Sequence, residues 1–337
     1  MVGWRGEIAT RVRGECRPDE PLAPRTSIKV GGPADLLVRP VDPPDLAALL
    51  RAVRELGLPL AILGGGANTL VADAGVRGVV VRLPTDFGEE RCTGEALLLS
   101  AGAPVARLAT RGHALGLVGA EFSAGIPGTL GGATAMNAGT RLGEMKQVLS
   151  RVELATADGD GFVEAAALRL AYRHCELPRG AVVTRVECRL RPGDVAASRA
   201  AMEADVAHRR ATQPLTQPSF GSTFWNPPGR FAGQLIEAAG LKGHREGGAM
   251  FSSLHANFIV NLGTATARDV LALVRLARAR VEERFGVRLE TEVRPLGQFE
   301  PGEVRPLGQF EPGEVRPLGQ FEPGAVRPLG QFEPGKV

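Results

Sequence analysis

The chain has 337 residues, 44% apolar and 23% charged, with a net charge of +3. That length carries two or three packed domains, the apolar share excludes wholesale disorder, and the near-balanced charge excludes the clustered Lys/Arg runs of a nucleic-acid binder. No segment approaches the roughly 18 consecutive apolar residues of a membrane-spanning helix, and the N-terminus lacks the apolar run of a secretory signal. Cys16, Cys92, Cys175 and Cys188 form no CxxC pair; neither a disulfide framework nor a metal site is expected, and a cytoplasmic location fits best.

In chain order, residues 45–57 set Leu46, Leu49, Leu50, Val53 and Leu56 on one helical face, opened by Asp45 and closed by Gly57. Apolar runs at 59–63 and 78–83 predict short strands with glycine loops between them. Residues 181–190 alternate, with Val182, Thr184, Val186, Cys188 and Leu190 facing one way, so Cys188 is expected in the core. Helical patterns return at 197–211, 231–239 and 267–285. A last strand is expected over 287–293, with Val287, Leu289, Thr291 and Val293 on one side and Glu290, Glu292 and Arg294 on the other. Strands and helices scattered in this way predict an α+β body.

The unit VRPLGQFEPGE occurs at 293–303 and 304–314, and with altered ends at 315–325 and 326–336. Its period is too short for a helical solenoid, and one copy holds too few large apolar side chains to offset the cost of ordering. The first copy starts inside the last strand pattern and is taken as the true chain end. A flexible tail over 298–337 is expected, in preference to a binding module or a stacked β-repeat.

Two glycine-rich loops stand out. LGGGANTLV (63–71) follows a predicted strand, where missing Cβ atoms let backbone N–H groups approach a phosphate. It is neither GxGxxG nor a P-loop, and taken alone it reads equally well as a tight turn. The second loop, 119–139, has six glycines, Pro127, and the hydrogen-bonding side chains of Ser123, Thr129 and Asn137. Two such loops in one body predict a long polyanionic cofactor, such as a dinucleotide, lying between them.

The segments TSIKVGGPADLLV (26–38), LGGGANTLVAD (63–73), GIPGTLGGATAMNAG (125–139), AYR (171–173), GSTFWNP (221–227), AGQLIEAAGLKG (232–243), HANFIVN (255–261) and LETEV (289–293) resemble the UDP-N-acetylenolpyruvoylglucosamine reductase (MurB) family, in that family's order. The resemblance implies a two-part FAD-binding domain of the vanillyl-alcohol-oxidase type, with subdomains over 20–85 and 86–195, and an α+β substrate-binding domain over 196–297. It implies non-covalent FAD held by Gly64, Gly65, Gly66, Ala67 and Asn68 of the first loop. Ser123, Gly125, Ile126, Pro127, Gly128, Thr129, Gly132, Asn137 and Gly139 of the second loop would complete the cofactor site. The implied reaction reduces the enolpyruvyl ether of a UDP-sugar with NADPH to give UDP-N-acetylmuramate, a peptidoglycan precursor, in a monomeric enzyme.

The resemblance also implies three catalytic residues: Arg173, Ser222 and Glu292. Hydride arriving at the β-carbon of the substrate leaves negative charge that spreads into its carboxylate, and a fixed guanidinium suits that charge. Glu292 would be a second stabiliser, which requires a protonated carboxyl or a compensating cation. Ser222 would donate the proton to the α-carbon. Outside this context, an Arg after Tyr172 is a surface residue, a Ser after Gly caps a turn, and a Glu on the polar side of a strand is solvated. Tyr172 and Asn226 are expected at the substrate, His255 as a structural histidine, and Cys175 as incidental. Trp225 stands where many relatives carry Lys, and NAGTRLGEM (137–145) replaces an aromatic-containing form; the short span before Ser222 marks the compact type of the family. Two other functions compete: a flavoprotein of the same fold acting on a hydroxy acid or lactone, and a colourless phosphate-loop module whose repeats are the working part.

Overall fold

The computed structural model describes residues 3–299; the repeats from 304 onward, and the flexibility expected of them, lie outside the described residues. Three sheets organise the chain. The first runs in the order Glu15–Pro21, Pro33–Arg39, Val76–Val81, Leu60–Ile62, antiparallel at its first pairing and parallel thereafter. It begins at Glu15, ahead of the expected boundary at 20. The helix Pro43–Glu55 lays Leu46, Leu49, Leu50 and Val53 against Leu36, Val38, Val79 and Val81 of this sheet. Its cap is Asp42 rather than Asp45: the Asp42 carboxylate accepts from Asp45 N, and Pro43 occupies the first turn, where no N–H is needed. Asp45, buried, turns back to accept from Val41 N and Arg13 N.

The second sheet is antiparallel throughout, in the order Gly159–Glu164, Leu149–Thr156, Val182–Arg189, Ala96–Ser100, Arg91–Thr93. Strand 182–189 fulfils the expected alternation, with Val182, Thr184, Val186 and Cys188 all buried. The third sheet runs Ser219–Ser222, Phe258–Asn261, Ala249–Phe251, Arg245–Glu246. The helix Ala267–Phe285, expected with these bounds, packs Val270, Leu271, Val274, Ala277 and Val281 into the same core, and the helix Ala232–Ala238 adds Leu235 and Ile236. The helix Val195–Thr212 leads from the second sheet to the third.

The strand expected over 287–293 does not form as such. Leu289, Thr291 and Val293 are buried as the alternation requires, but the backbone changes partner almost every residue. Glu290 O accepts from Trp225 N, Glu292 N donates to Thr223 O, and Arg294 N donates to Asn68 O. Only then does a ladder start, with Arg294–Leu296 parallel to Thr69–Val71. The segment therefore stitches the third sheet to the first glycine loop, and an isolated bridge from Thr291 to Phe224 followed by one short ladder replaces a long strand.

Candidate functional site

The two glycine loops meet. A Cβ on Gly65 would lie 2.4 Å from Gly128 Cα, and one on Gly64 would lie 2.6 Å from Thr129 Oγ1. Gly66 has φ +63°, and a Cβ there would lie 2.4 Å from Arg25 O. These contacts require glycine whatever the ligand. The N–H groups of Gly64, Gly65, Gly66, Ala67 and Asn68 donate to no acceptor among the described residues, which leaves a row of donors for an external anion.

Beside this contact opens a cavity of about 640 Å³. Its walls include Gly64 to Asn68, Ile126, Pro127, Gly128, Thr129, Gly132 and Gly139 from the two loops, and Arg173, Ser222 and Glu292 at the junction with the third sheet. A dinucleotide needs an elongated, mainly apolar cleft with a few convergent polar groups, and this cavity supplies both the cleft and the donors. FAD fits the residues present.

Arg173, Ser222 and Glu292 reach the cavity from three elements. Arg173 sits in the turn 171–174, where Ala171 and His174 bond to each other, and its φ of +54° lies in the left-handed region. That conformation costs a side-chain-bearing residue about 1 kcal/mol or more, so surrounding bonds must hold it. They do: Nε donates to Glu292 Oε1 at 3.1 Å and Nη2 to Gly139 O at 3.1 Å. Ser222 ends a strand beside a register shift, after Gly221 at φ +84°, and its hydroxyl bonds to no described residue. The bond from Glu292 N to Thr223 O holds Glu292 next to it. Burial pushes the Glu292 carboxyl up and the Arg173 guanidinium pulls it down; burial wins, and the proton is held more tightly than by an ordinary glutamate.

Five expected site residues do not line the cavity. Asn137 is fully buried behind it, with Nδ2 donating to Ala171 O and Glu144 Oε2 while Oδ1 accepts from Lys146 N. Ser123 is also fully buried, its hydroxyl without a partner. Gly125 makes room for Arg209, whose Nη1 would meet an added Cβ at 2.5 Å. Asn226 Oδ1 accepts from Ala232 N and so caps the helix that follows. Tyr172 is 52% exposed and lies over the Arg173 guanidinium, 5.1 Å from ring centroid to Cζ. Two expectations of no role agree with what surrounds the residues. Burial drives the Cys175 thiol up to about 11, too weak an acid to serve as a nucleophile, and His255 Nδ1 accepts from Asn257 N in its own loop.

Sequence reasoning passed over Arg209 and Gln213, which line both this cavity and an adjoining one of about 610 Å³, and Arg294, which it placed beside Glu292 without a task. Exposed basic residues are common in this chain, with 40 Lys and Arg, so nothing in the pattern singled these out.

A cleft between two glycine loops, bordered by a half-buried Arg–Glu pair and a hydroxyl that bonds to no described residue, suits a flavin-dependent oxidoreductase. Family models agree: an FAD-binding domain matches residues 34–162, and the C-terminal domain of UDP-N-acetylenolpyruvoylglucosamine reductase matches 213–296. A reductase of that name from Anaeromyxobacter dehalogenans (strain 2CP-C) is 72% identical over 298 residues, covering 88% of this chain and 91% of the relative. One from Myxococcus xanthus is 55% identical, covering 88% and 99%. The crystal structure of the reductase from Thermus caldophilus superposes with TM-score 0.72 at 39% identity, covering 84% of this chain and 99% of that one. The chain belongs to the UDP-N-acetylenolpyruvoylglucosamine reductase family.

Proposed function

We propose that this enzyme uses NADPH and FAD to reduce the enolpyruvyl ether of UDP-N-acetylenolpyruvoylglucosamine to UDP-N-acetylmuramate, in the cytoplasmic stage of peptidoglycan precursor synthesis. The observation that carries the reading is the convergence of Arg173, Glu292 and Ser222 on one cavity. Bound flavin supplies the hydride; the chain supplies the rest. Arg173, held in one orientation by Glu292 and Gly139, offers its remaining N–H groups to the substrate carboxylate and to the enolate charge that follows hydride arrival. Glu292 takes up a proton more readily than an ordinary glutamate, because burial favours the neutral form even beside Arg173. A neutral carboxyl beside an enolate stabilises it, where a carboxylate would repel it. Ser222, with no protein partner to occupy its hydroxyl, donates the proton to the α-carbon.

The adjoining cavity supports a place for the nucleotide. It shares Arg209 and Gln213 with the main cavity, and Arg210 lines it as well, so two guanidinium groups are available to a diphosphate. The division into units over 20–85, 86–195 and 196–297 belongs to the same reading, with the substrate held mainly by the third.

The test separates the two half-reactions by anaerobic stopped flow. In Ser222→Ala, NADPH is expected to bleach the flavin at the wild-type rate, while reoxidation by the enolpyruvyl sugar slows by roughly two to four orders of magnitude, the usual worth of a general acid. Equal slowing of both halves removes Ser222 from the proton step. Wild-type protein reoxidised rapidly by oxygen but not by the sugar removes the substrate assignment and restores a hydroxy-acid or lactone oxidase.

A further inference from the structure

Arg294 is a half-buried cation that meets nothing of opposite charge among the described residues. Its Nη2 donates to Ala135 O at 2.8 Å, its Nε is buried with no partner, and its side chain lines the cofactor cavity. Among the described residues no carboxylate lies within ion-pair distance of it: the Glu292 carboxylate, two residues earlier, is taken by Arg173. Burial already pushes the guanidinium down from its ordinary value, though not far enough to lose its charge at neutral pH. A charge withdrawn from water without a counter-ion is costly, and this one is held at the cavity wall where a counter-charge from outside the chain can meet it.

FAD brings two negative loci. The pyrophosphate is charged at all times; the ring system becomes charged only on reduction, since a hydride adds two electrons and one proton and leaves one net negative charge behind. The chain separates the two places. The start of the donor row, where Gly65 closes on Gly128, lies before the helix Leu130–Ala135, whereas Arg294 meets the other end of the row, its N–H on Asn68 O and its guanidinium on the last residue of that helix, about 7 Å further along. Arg294 also follows Glu292 by two residues and so belongs to the end of the cavity where Arg173 and Ser222 gather. That is the reacting end.

We propose that Arg294 is the fixed counter-cation for the charge the flavin ring gains on reduction, and so sets how readily the bound cofactor accepts hydride. A cation that interacts with the reduced ring and not with the neutral oxidised one raises the reduction potential without tightening the oxidised complex. The inference rests on the flavin that the family binds and not on the proposed substrate.

The experiment measures two quantities on reconstituted holoenzyme, with no substrate present: the two-electron reduction potential, by equilibration with a reference dye, and the dissociation constant of oxidised FAD. In Arg294→Met the equilibrium constant for reduction is expected to fall at least tenfold, which is about 30 mV for a two-electron couple. Oxidised FAD should bind within about threefold of wild type, and Arg294→Lys should recover most of the potential, since the charge and not the fork carries the effect. Should Arg294→Met fail to fold, the neutral Arg294→Gln, which keeps a donor for Ala135 O, is read in its place. An unchanged potential overturns the proposal, whether FAD affinity is retained or falls more than tenfold; the latter assigns Arg294 to the pyrophosphate. A shifted potential in a protein that does not reduce the UDP-sugar leaves this inference standing and overturns only the substrate.

Discussion

Asn137, expected at the cofactor, is buried and turns its side chain into the protein. It stands in a glycine-rich segment at φ +44°, a conformation that asparagine tolerates better than most residues. Its side-chain amide is spent inside the protein: on Ala171 O at 2.8 Å, Lys146 N at 2.8 Å and Glu144 Oε2 at 3.1 Å. The first of these bonds fixes the turn that carries Arg173, and Arg173 returns a bond to Gly139 O two residues after Asn137. Asn137 is thus a positioning residue for the arginine. Asn137→Ala strands Ala171 O and Lys146 N and places Ala in a left-handed conformation. A loss of about 2–3 kcal/mol is expected in urea unfolding. FAD affinity should stay close to wild type, and reoxidation of reduced flavin by the enolpyruvyl sugar should slow more than reduction by NADPH. A selective loss of FAD would return Asn137 to the cofactor site. The three side chains that line the reacting end were legible in their segments. Burial was not, so Asn137 and Ser123, polar and set among glycines, gave no sign in the sequence that their side chains point inward.

Elements that keep the same partners along their length were legible, and the segment that changes partners was not. The helix Ala267–Phe285 came out with its expected bounds because one apolar face meets one core. Its start, though, is shared. Thr266 and Asp269 close a capping box, and Asp73, from the segment after the first glycine loop, accepts from Ala267 N at 2.7 Å and Arg268 N at 3.0 Å. Asn261 adds a bond from its Nδ2 to Ile28 O at 2.9 Å. These side chains dock the third sheet on the first subunit of the fold, and periodicity within either piece is blind to such bonds. Asp73→Ala removes two acceptors from a helix start and is expected to cost about 1–2 kcal/mol in chemical denaturation. Asp73→Asn, which keeps one acceptor oxygen, should recover part of it. The same docking positions Ser222 against the flavin loops, so KM for the UDP-sugar should rise in Asp73→Ala while FAD stays bound. A variant as stable as wild type would show that the capping box alone closes the helix.

At the scale of the whole molecule, the chain is closed by the segment that sequence analysis took for a plain last strand. Its hydrogen bonds run in order to Trp225 and Thr223 of the third unit, then to Asn68 of the glycine loop, and its ladder with Thr69–Val71 is completed by Arg294–Leu296. A further bond from Ala72 N to Leu296 O, at 2.9 Å, finishes the seam. The alternation of Leu289, Thr291 and Val293 revealed the burial of this segment; the exchange of partners along it depends on residues far away in the chain, Trp225 and Thr223 first and then Asn68, more than 200 residues distant, which no local pattern carries. Because Arg294–Leu296 falls inside the first VRPLGQFEPGE copy, that copy is part of the fold at its start, as expected, while the copies from 304 on lie outside the described residues. Two truncations turn this into a measurement. A chain ending at 303 should keep its FAD, its melting temperature and its turnover with NADPH and the enolpyruvyl sugar. A chain ending at 292 loses Arg294, the parallel ladder and the bond to Asn68 together, and is expected to purify without flavin and to melt several degrees lower. Loss of turnover in the chain ending at 303 would mean that the repeats act on the enzyme, and retention of flavin in the chain ending at 292 would mean that the glycine loops hold it without the seam.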